Sequence, residues 1–173
     1  MALNLNKIVG EIKSVTDLPL TILSNSTLLS NPKTSLDLLK IDKVVAKLDA
    51  WDQKSLQKIN NPHPSVTFTK LIQGILEFKN KYPGIFCLQI MFIKEFDSNV
   101  ARLVELVQKI HPDEVQINTP LRPCAVSPLN KKELNKIKKL FTGLNVYTVY
   151  EKERPDVKII DLDTTLKRRP KIY

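Results

Sequence analysis

The residues able to do chemistry in this chain are few and scattered. There are two cysteines, Cys87 and Cys124, thirty-seven positions apart, far from the short spacings of a zinc or cluster motif. The only histidines are His63, set between two prolines, and His111, at the end of a helical pattern; both read as structural residues. No Ser-His-Asp set can be assembled. With four glycines in all, the chain has no Gly-rich phosphate loop. A distinct signal is a set of mostly polar side chains that closes successive apolar runs: Asn25 and Ser26, then Lys47 and Asp49, then Gln89 with the apolar Met91, then Gln116, Asn118 and Thr119, with Arg122 just beyond.

The elements that position this set follow from periodicity. Leu5, Ile8, Val9 and Ile12 fall on one face of a first helix. Residues 18–23 read as a short buried strand, and a short helix follows Asn31-Pro32. Val44, Val45, Ala46 and Leu48 form a second apolar run, closed by Asp49. Ser65 is a candidate cap for a long helix with Phe68, Leu71, Ile72, Ile75 and Leu76 on its inner face. Residues 85–93 are the most strand-like stretch. Asp97 or Ser98 opens a helix that ends at His111-Pro112. Glu114 to Asn118 is another strand, Asn130 with Glu133 resembles a capping box, and Val146 to Val149 is a last strand. The helix between them buries Leu134, Ile137, Leu140 and Phe141. Strands separated by helices imply a parallel sheet, whose ligand site lies beyond the carboxyl ends of its strands. That is where the polar set falls. Each member alone is explained by hydrogen bonds that tie loops to strands. Their recurrence at four strand ends favours a binding site for a ligand rich in hydroxyls, amides and a carboxylate. Lys47 and Asp49, two positions apart, share a side and can pair, which removes the cost of an isolated ammonium inside a strand.

Bulk properties set the frame. A chain of 173 residues with 42% apolar and 26% charged residues fits one domain, here residues 1–150, with a basic tail over 151–173. No apolar run spans a bilayer, the N-terminus is no secretory signal, and the sparse cysteines suit a reducing, cytoplasmic setting. Lys and Arg outnumber Asp and Glu by 27 to 18, for a formal charge of +9. Scattered lysines of this kind read first as a solvated surface, and second as affinity for RNA or an anionic substrate.

The segments LTILSNSTLL, DKVVAKLDAWDQKSLQKINNPHP, LQIMFI and DEVQINTPLRPC, in this order and spacing, resemble the radical S-adenosylmethionine (radical SAM) superfamily. They are most like the iron–sulfur oxidoreductases related to the wybutosine-synthesis enzymes. The resemblance runs from about residue 3 to about residue 143. It implies a partial parallel (βα) barrel of which the first two strands are missing here. The strands present would be the third to the sixth, ending at Asn25, Asp49, Met91 and Thr119. The complete family domain binds S-adenosylmethionine and a 4Fe-4S cluster held by a CxxxCxxC loop, and a Gly-Glu-Pro-like motif touches the cofactor's amino group. This sequence contains neither motif, so no cluster is expected on this chain alone. By the resemblance, Asn25, Ser26, Lys47, Asp49, Gln89, Met91, Asn118 and Thr119 contact the cofactor, and Gln116 and Arg122 the substrate. A separate chain carrying the cluster-binding segment is the implied partner. The competing readings are a non-catalytic remnant that keeps the pocket and a basic RNA-associated module.

Overall fold

The computed structural model describes residues 4–94, 99–121 and 126–151. Six helices alternate with five strands. In chain order they are α1 (Leu5–Val15), β1 (Thr21–Ser24), α2 (Pro32–Leu38), β2 (Lys43–Lys47), α3 (Gln53–Asn60), α4 (Phe68–Lys81), β3 (Ile85–Met91), α5 (Val100–Ile110), β4 (Glu114–Asn118), α6 (Lys131–Lys138) and β5 (Val146–Thr148). The strands form one parallel sheet in the order β1-β2-β3-β4-β5. Strand order equals chain order, so every crossover runs to the next neighbour. Right-handed crossovers then put the covering helices on one side of the sheet.

Burial confirms this one-sided arrangement. Val44, Ala46, Phe86, Leu88, Ile90, Val115, Ile117 and Val146 share one core with Val9 of α1, Leu38 of α2, Ile75 and Phe78 of α4, Val107 of α5 and Leu134 of α6. The alternate strand positions face the other way. Leu23, Ile85 and Tyr147 are 66%, 46% and 38% exposed on that second face. Removing large apolar side chains from water gives about 2 kcal/mol each, so the helix-covered face drives folding, while on the other only Val45 and Cys87 are buried among the strand residues described.

The two ends of the sheet are held differently. At the amino end, aspartates bond the first strand amides. Asp42 Oδ2 accepts from Leu20 N at 2.8 Å and Asp113 Oδ2 from Phe86 N at 2.7 Å. Burial pushes the Asp113 carboxyl up, but the Phe86 N–H and the Lys79 ammonium outweigh it and hold it below its ordinary value. Tyr82 donates to Ile41 O at 2.6 Å beneath the same end. Burial, with Asp42 and Asp113 nearby, pushes its phenol up to about 12.

Several sequence expectations are corrected. The first strand starts at Thr21 rather than residue 18. Pro19 has no amide to give to a ladder, and the Leu20 amide is taken by the Asp42 side chain. Thr67, not Ser65, caps α4, its side chain accepting from Lys70 N; Ser65 instead bonds the His63 ring. Helix α3 was not expected. It is set by a capping box in which the Asp52 side chain accepts from Ser55 N and the Ser55 hydroxyl from Asp52 N. Asn99 caps α5, since its side chain accepts from Arg102 N, while the expected starters Asp97 and Ser98 lie outside the described residues. Leu140, expected among the buried residues of the helix after Asn130, is 53% exposed; on the apolar face of α1, Leu5 and Val9 are buried while Ile8 and Ile12 are each 39% exposed. The capping box of Asn130 with Glu133 and the span of β4 match expectation.

Candidate functional site

The polar set lies at the carboxyl end of the sheet, and register sorts its members. Lys47 pairs with Gln89, Gln89 with Gln116, and Gln116 with Tyr147. Neighbours in a parallel ladder point to the same side, so these four residues form a row across the open face. Met91 and Asn118 form the next row toward the carboxyl end. Gln89 Nε2 donates to Gln116 Oε1 at 3.0 Å. That bond leaves the Gln89 oxygen and the Gln116 amide nitrogen with no other hydrogen bond among the described residues. Asn118 adds another side-chain amide without a partner there, beside a small cavity of about 130 Å³ that Gln116, Tyr147 and Thr148 also line. Lower on the face, Lys43 reaches over β3 to Glu114, and Cys87 is fully buried in the row of Glu114.

Other members serve the scaffold. Asp49 is buried, and its carboxylate has three partners. Oδ1 accepts from Met91 N at 2.9 Å, while Oδ2 accepts from Asn60 Nδ2 at 3.2 Å and lies 3.1 Å from Lys47 Nζ. The pairing of Lys47 with Asp49 anticipated from their spacing is therefore present. Ser26 has a left-handed backbone with φ of 68°. It is held there by donating its amide to Ser24 Oγ and its hydroxyl to Lys47 O. Such backbone strain persists only where the surroundings over-determine it. Thr119 Oγ1 accepts from Leu129 N at 2.9 Å, fixing the chain after the β4 loop. Arg122 and Cys124 lie outside the described residues.

Two features escaped the sequence. A cavity of about 300 Å³ opens beside the end of β2, bounded by the loop after β1, α3 and the loop from α3 to α4. Asn25, Lys47, Asn60 and His63 line it, over a floor that includes Leu48, Leu56 and Leu71. His63 joins the site through α3, the helix that was not foreseen. Thr148 Oγ1 is the one buried side-chain polar atom without a partner among the described residues. Its only sequence signal is a threonine inside the apolar run VYTV.

No family model matches the chain. It is 31% identical over 181 residues to GTPase Obg of Brachyspira hyodysenteriae, an alignment covering 96% of this chain and 27% of that protein. It is 34% identical over 124 residues to a UPF0026 protein of Synechocystis, covering 71% of this chain and 47% of the relative. A UPF0026 protein of Methanocaldococcus jannaschii is 27% identical over 146 residues, covering 83% and 45%. The chain thus spans half or less of the length of these relatives. Among solved structures, a domain of pyruvate-formate lyase-activating enzyme from Bacteroides vulgatus superposes with a TM-score of 0.67 at 12% identity, over 86% of this chain and 94% of that one. TYW1 with a lysine-pyruvate adduct bound gives 0.66 at 16% identity, over 82% and 46%. SuiB of Streptococcus suis bound to S-adenosylmethionine gives 0.60 at 16%, over 83% and 35%. The chain has the radical SAM partial-barrel fold. The strands expected to end at Asn25, Asp49, Met91 and Thr119 are β1 to β4, and β5 extends the sheet beyond the segment that carries the resemblance. Among the described residues no helix is long and apolar enough to cross a membrane, and no group of three or more His, Cys, Asp or Glu side chains is placed to hold a metal.

Proposed function

We propose that this chain supplies the S-adenosylmethionine- and substrate-binding face of a radical SAM-type enzyme, with the cluster thiolates contributed by sequence outside these 173 residues. The observation that carries the proposal is the row Lys47, Gln89 and Gln116 on the uncovered face, at the end of the sheet where parallel folds bind ligands. Its donors and acceptors suit a ligand with hydroxyls, ring nitrogens and an amino-acid end. Gln89 and Gln116 hold each other's amides in place, which lowers the entropy lost on binding. Asn118 and Met91 extend the surface toward the strand ends, one polar and one apolar. S-adenosylmethionine, when bound, would supply the reactive carbon–sulfur bond; the residues of this chain bind and orient it.

The cluster does not fit the residues present. Two cysteines cannot give three thiolates, and Cys87 is fully buried in its strand. No step is therefore routed through a cluster here. A separate or adjoining polypeptide with the CxxxCxxC segment is the partner this reading needs. The reading as an RNA-associated module rests on the formal charge of +9 and on the resemblance to the wybutosine-synthesis enzymes. The likeness to a GTPase carries no GTP site to this chain, which lacks a Gly-rich phosphate loop.

The test is calorimetric titration of the chain with S-adenosylmethionine. Saturable binding is expected, weakened at least about tenfold in Gln89→Leu, since one lost hydrogen bond to a polar ligand is worth about 1.4 kcal/mol. Absence of saturable binding, or binding indifferent to Gln89 and Gln116, overturns the proposal. Deoxyadenosine formed after anaerobic reconstitution with a CxxxCxxC-bearing companion supports the enzyme. Binding without turnover in that mixture favours the remnant.

A further inference from the structure

We infer that the cavity beside β2 is a subsite for a small carboxylic acid, seated against Lys47 and read by His63 from the loop between α3 and α4. This inference deepens the reading above by naming a substrate class for the same end of the sheet, and it rests on that reading for its place in a reaction.

The argument starts from which polar atoms around the cavity are already used. His63 Nδ1 accepts the Ser65 backbone amide at 3.3 Å, and the Ser65 hydroxyl lies 2.8 Å from the same nitrogen. With that lone pair engaged, the proton of the neutral ring sits on Nε2, which is then a donor. Asn25 Oδ1 accepts from both the amide and the hydroxyl of Thr27, at 3.2 and 2.8 Å, so the remaining Asn25 group is its donor amide. Lys47 contributes an ammonium that is 36% exposed at the side chain, with Asp49 occupying one of its three N–H directions. Asn60 spends its amide nitrogen on Asp49. Three side chains lining one cavity therefore have donors to spare. The one carboxylate on its wall, Asp49, has both oxygens engaged and is almost wholly buried. The Asn60 carbonyl and the Thr27 hydroxyl oxygens are the side-chain acceptors left on the wall, but the one charged group with a direction to spare is the Lys47 ammonium, and a carboxylate is the acceptor that a lysine and neutral amides hold best.

The rest of the cavity limits the ligand's size. Its floor is apolar, from Leu48, Leu56 and Leu71, all buried. Its volume of about 300 Å³ is at the small end of ligand sites. That suits a compact acid with a short apolar body. It also leaves the row of Gln89 and Gln116, which does not line this cavity, for a second and larger molecule. Lys47 stands at the junction: its side chain belongs by register to the row and also lines the cavity wall.

The experiment titrates the full chain with sodium butyrate, with butyramide as the uncharged analogue, and with S-adenosylmethionine, followed by the His63 ring resonances in two-dimensional NMR. Butyrate is expected to shift the His63 signals saturably, and butyramide at the same concentrations to leave them in place. Lys47→Met should weaken butyrate at least about tenfold, as loss of a charge-assisted bond does. His63→Gln, at an exposed position that leaves the core untouched, should retain part of the binding because Gln keeps a donor, whereas His63→Leu should lose more. Equal responses to butyrate and butyramide, no response to either, or butyrate binding unchanged in both Lys47→Met and His63→Leu overturns the inference. S-adenosylmethionine that shifts the His63 signals and is displaced by butyrate also overturns it, because the cavity would then hold the cofactor's own carboxylate. Butyrate binding without S-adenosylmethionine binding defeats the function proposed above and leaves the acid site standing. The reverse result defeats only the acid site.

Discussion

The carboxylate of Asp49 accepts the backbone amide of Met91 at 2.9 Å, across the gap that opens where β2 has ended and β3 continues. A side chain thus replaces a ladder partner for the neighbouring strand. The same carboxylate holds Lys47 and Asn60, so one residue joins the sheet, the α3 helix and the ammonium that faces the cavity. Asp49→Ala would strand a strand amide and a half-buried ammonium together. The expected loss is about 3 kcal/mol, the low end of the range for breaking a buried ion pair because Lys47 reaches water. Asp49→Asn keeps an acceptor for Met91 and should lose about 1 kcal/mol. Urea midpoints of the two variants check this, and equal losses would show that charge rather than the Met91 bond matters.

Gly74 sets how closely α4 approaches the loop that carries Asn25 and Ser26. A Cβ built at this position would lie 2.8 Å from the backbone nitrogen of Ser30 and 3.0 Å from its Cβ. In a free helix Gly→Ala stabilises by about 1 kcal/mol. Here the added methyl meets backbone, and the loop must move. The net effect of Gly74→Ala should be a destabilisation of about 1–2 kcal/mol, as for other overpacked sites. Thermal melts check the sign. A stabilised variant would show that the loop yields freely, and that it does not hold the cavity wall in place.

Much of this fold was legible because its signals are local and mutually consistent. Apolar runs bounded by turn residues marked β2, β3 and β4, and the Asn130 with Glu133 pattern marked α6. Helix α3 was not legible. Its segment QKSLQKIN buries only Ser55 and Leu56, too few apolar positions to raise a period, and its decisive signal is the reciprocal bonding of Asp52 and Ser55. The site divided along the same line. Register on paper put Lys47 and Asp49 on one side and Gln116 with Asn118 on one face. It did not reveal which polar atoms the scaffold consumes, because the partners of Ser26, Asp49 and Thr119 are distant in sequence: Lys47 O, Met91 N and Leu129 N. His63 reads as structural in the sequence because its place beside the cavity depends on where α3 ends.

Acid should loosen the amino end of the sheet. Burial raises the Asp113 carboxyl, and the Phe86 N–H and Lys79 more than reverse this, so its pKa in the folded chain is below the ordinary 3.8. Asp42 is lowered by the Leu20 N–H and then by Lys13. A carboxyl lowered on folding stabilises fully above its unfolded value, and that contribution disappears as pH falls through the folded value. Stability should therefore drop below about pH 4, with a steeper slope than in Asp113→Asn, which does not titrate. Urea midpoints measured from neutral pH down to about pH 3 decide it. Identical slopes would mean that Asp113 has the same pKa folded and unfolded.

The last prediction concerns β1, which has a strand partner on one side only among the described residues. Leu20 turns both backbone groups toward β2, its oxygen accepting from Lys43 N and its amide meeting Asp42. Strand alternation then points the amides and carbonyls of Thr21 and Leu23 away from β2. Leu23 also shows 66% of its surface, so the open edge is both hydrogen-bonding and apolar. Edges of this kind template pairing with another strand unless a charge or a proline blunts them, and β1 has neither. The isolated chain should self-associate as its concentration rises. Leu23→Lys should suppress association by placing a charge on the edge, and Thr21→Pro by removing an outward amide while leaving the β2 ladder intact. Sedimentation velocity across a concentration series reads the outcome. A monomer at every concentration, or association that neither variant reduces, would mean that the edge is not the sticky surface. If both variants dissociate the chain and still bind S-adenosylmethionine, the edge and the ligand face are separate, and the edge is free to receive the strands of a cluster-bearing partner.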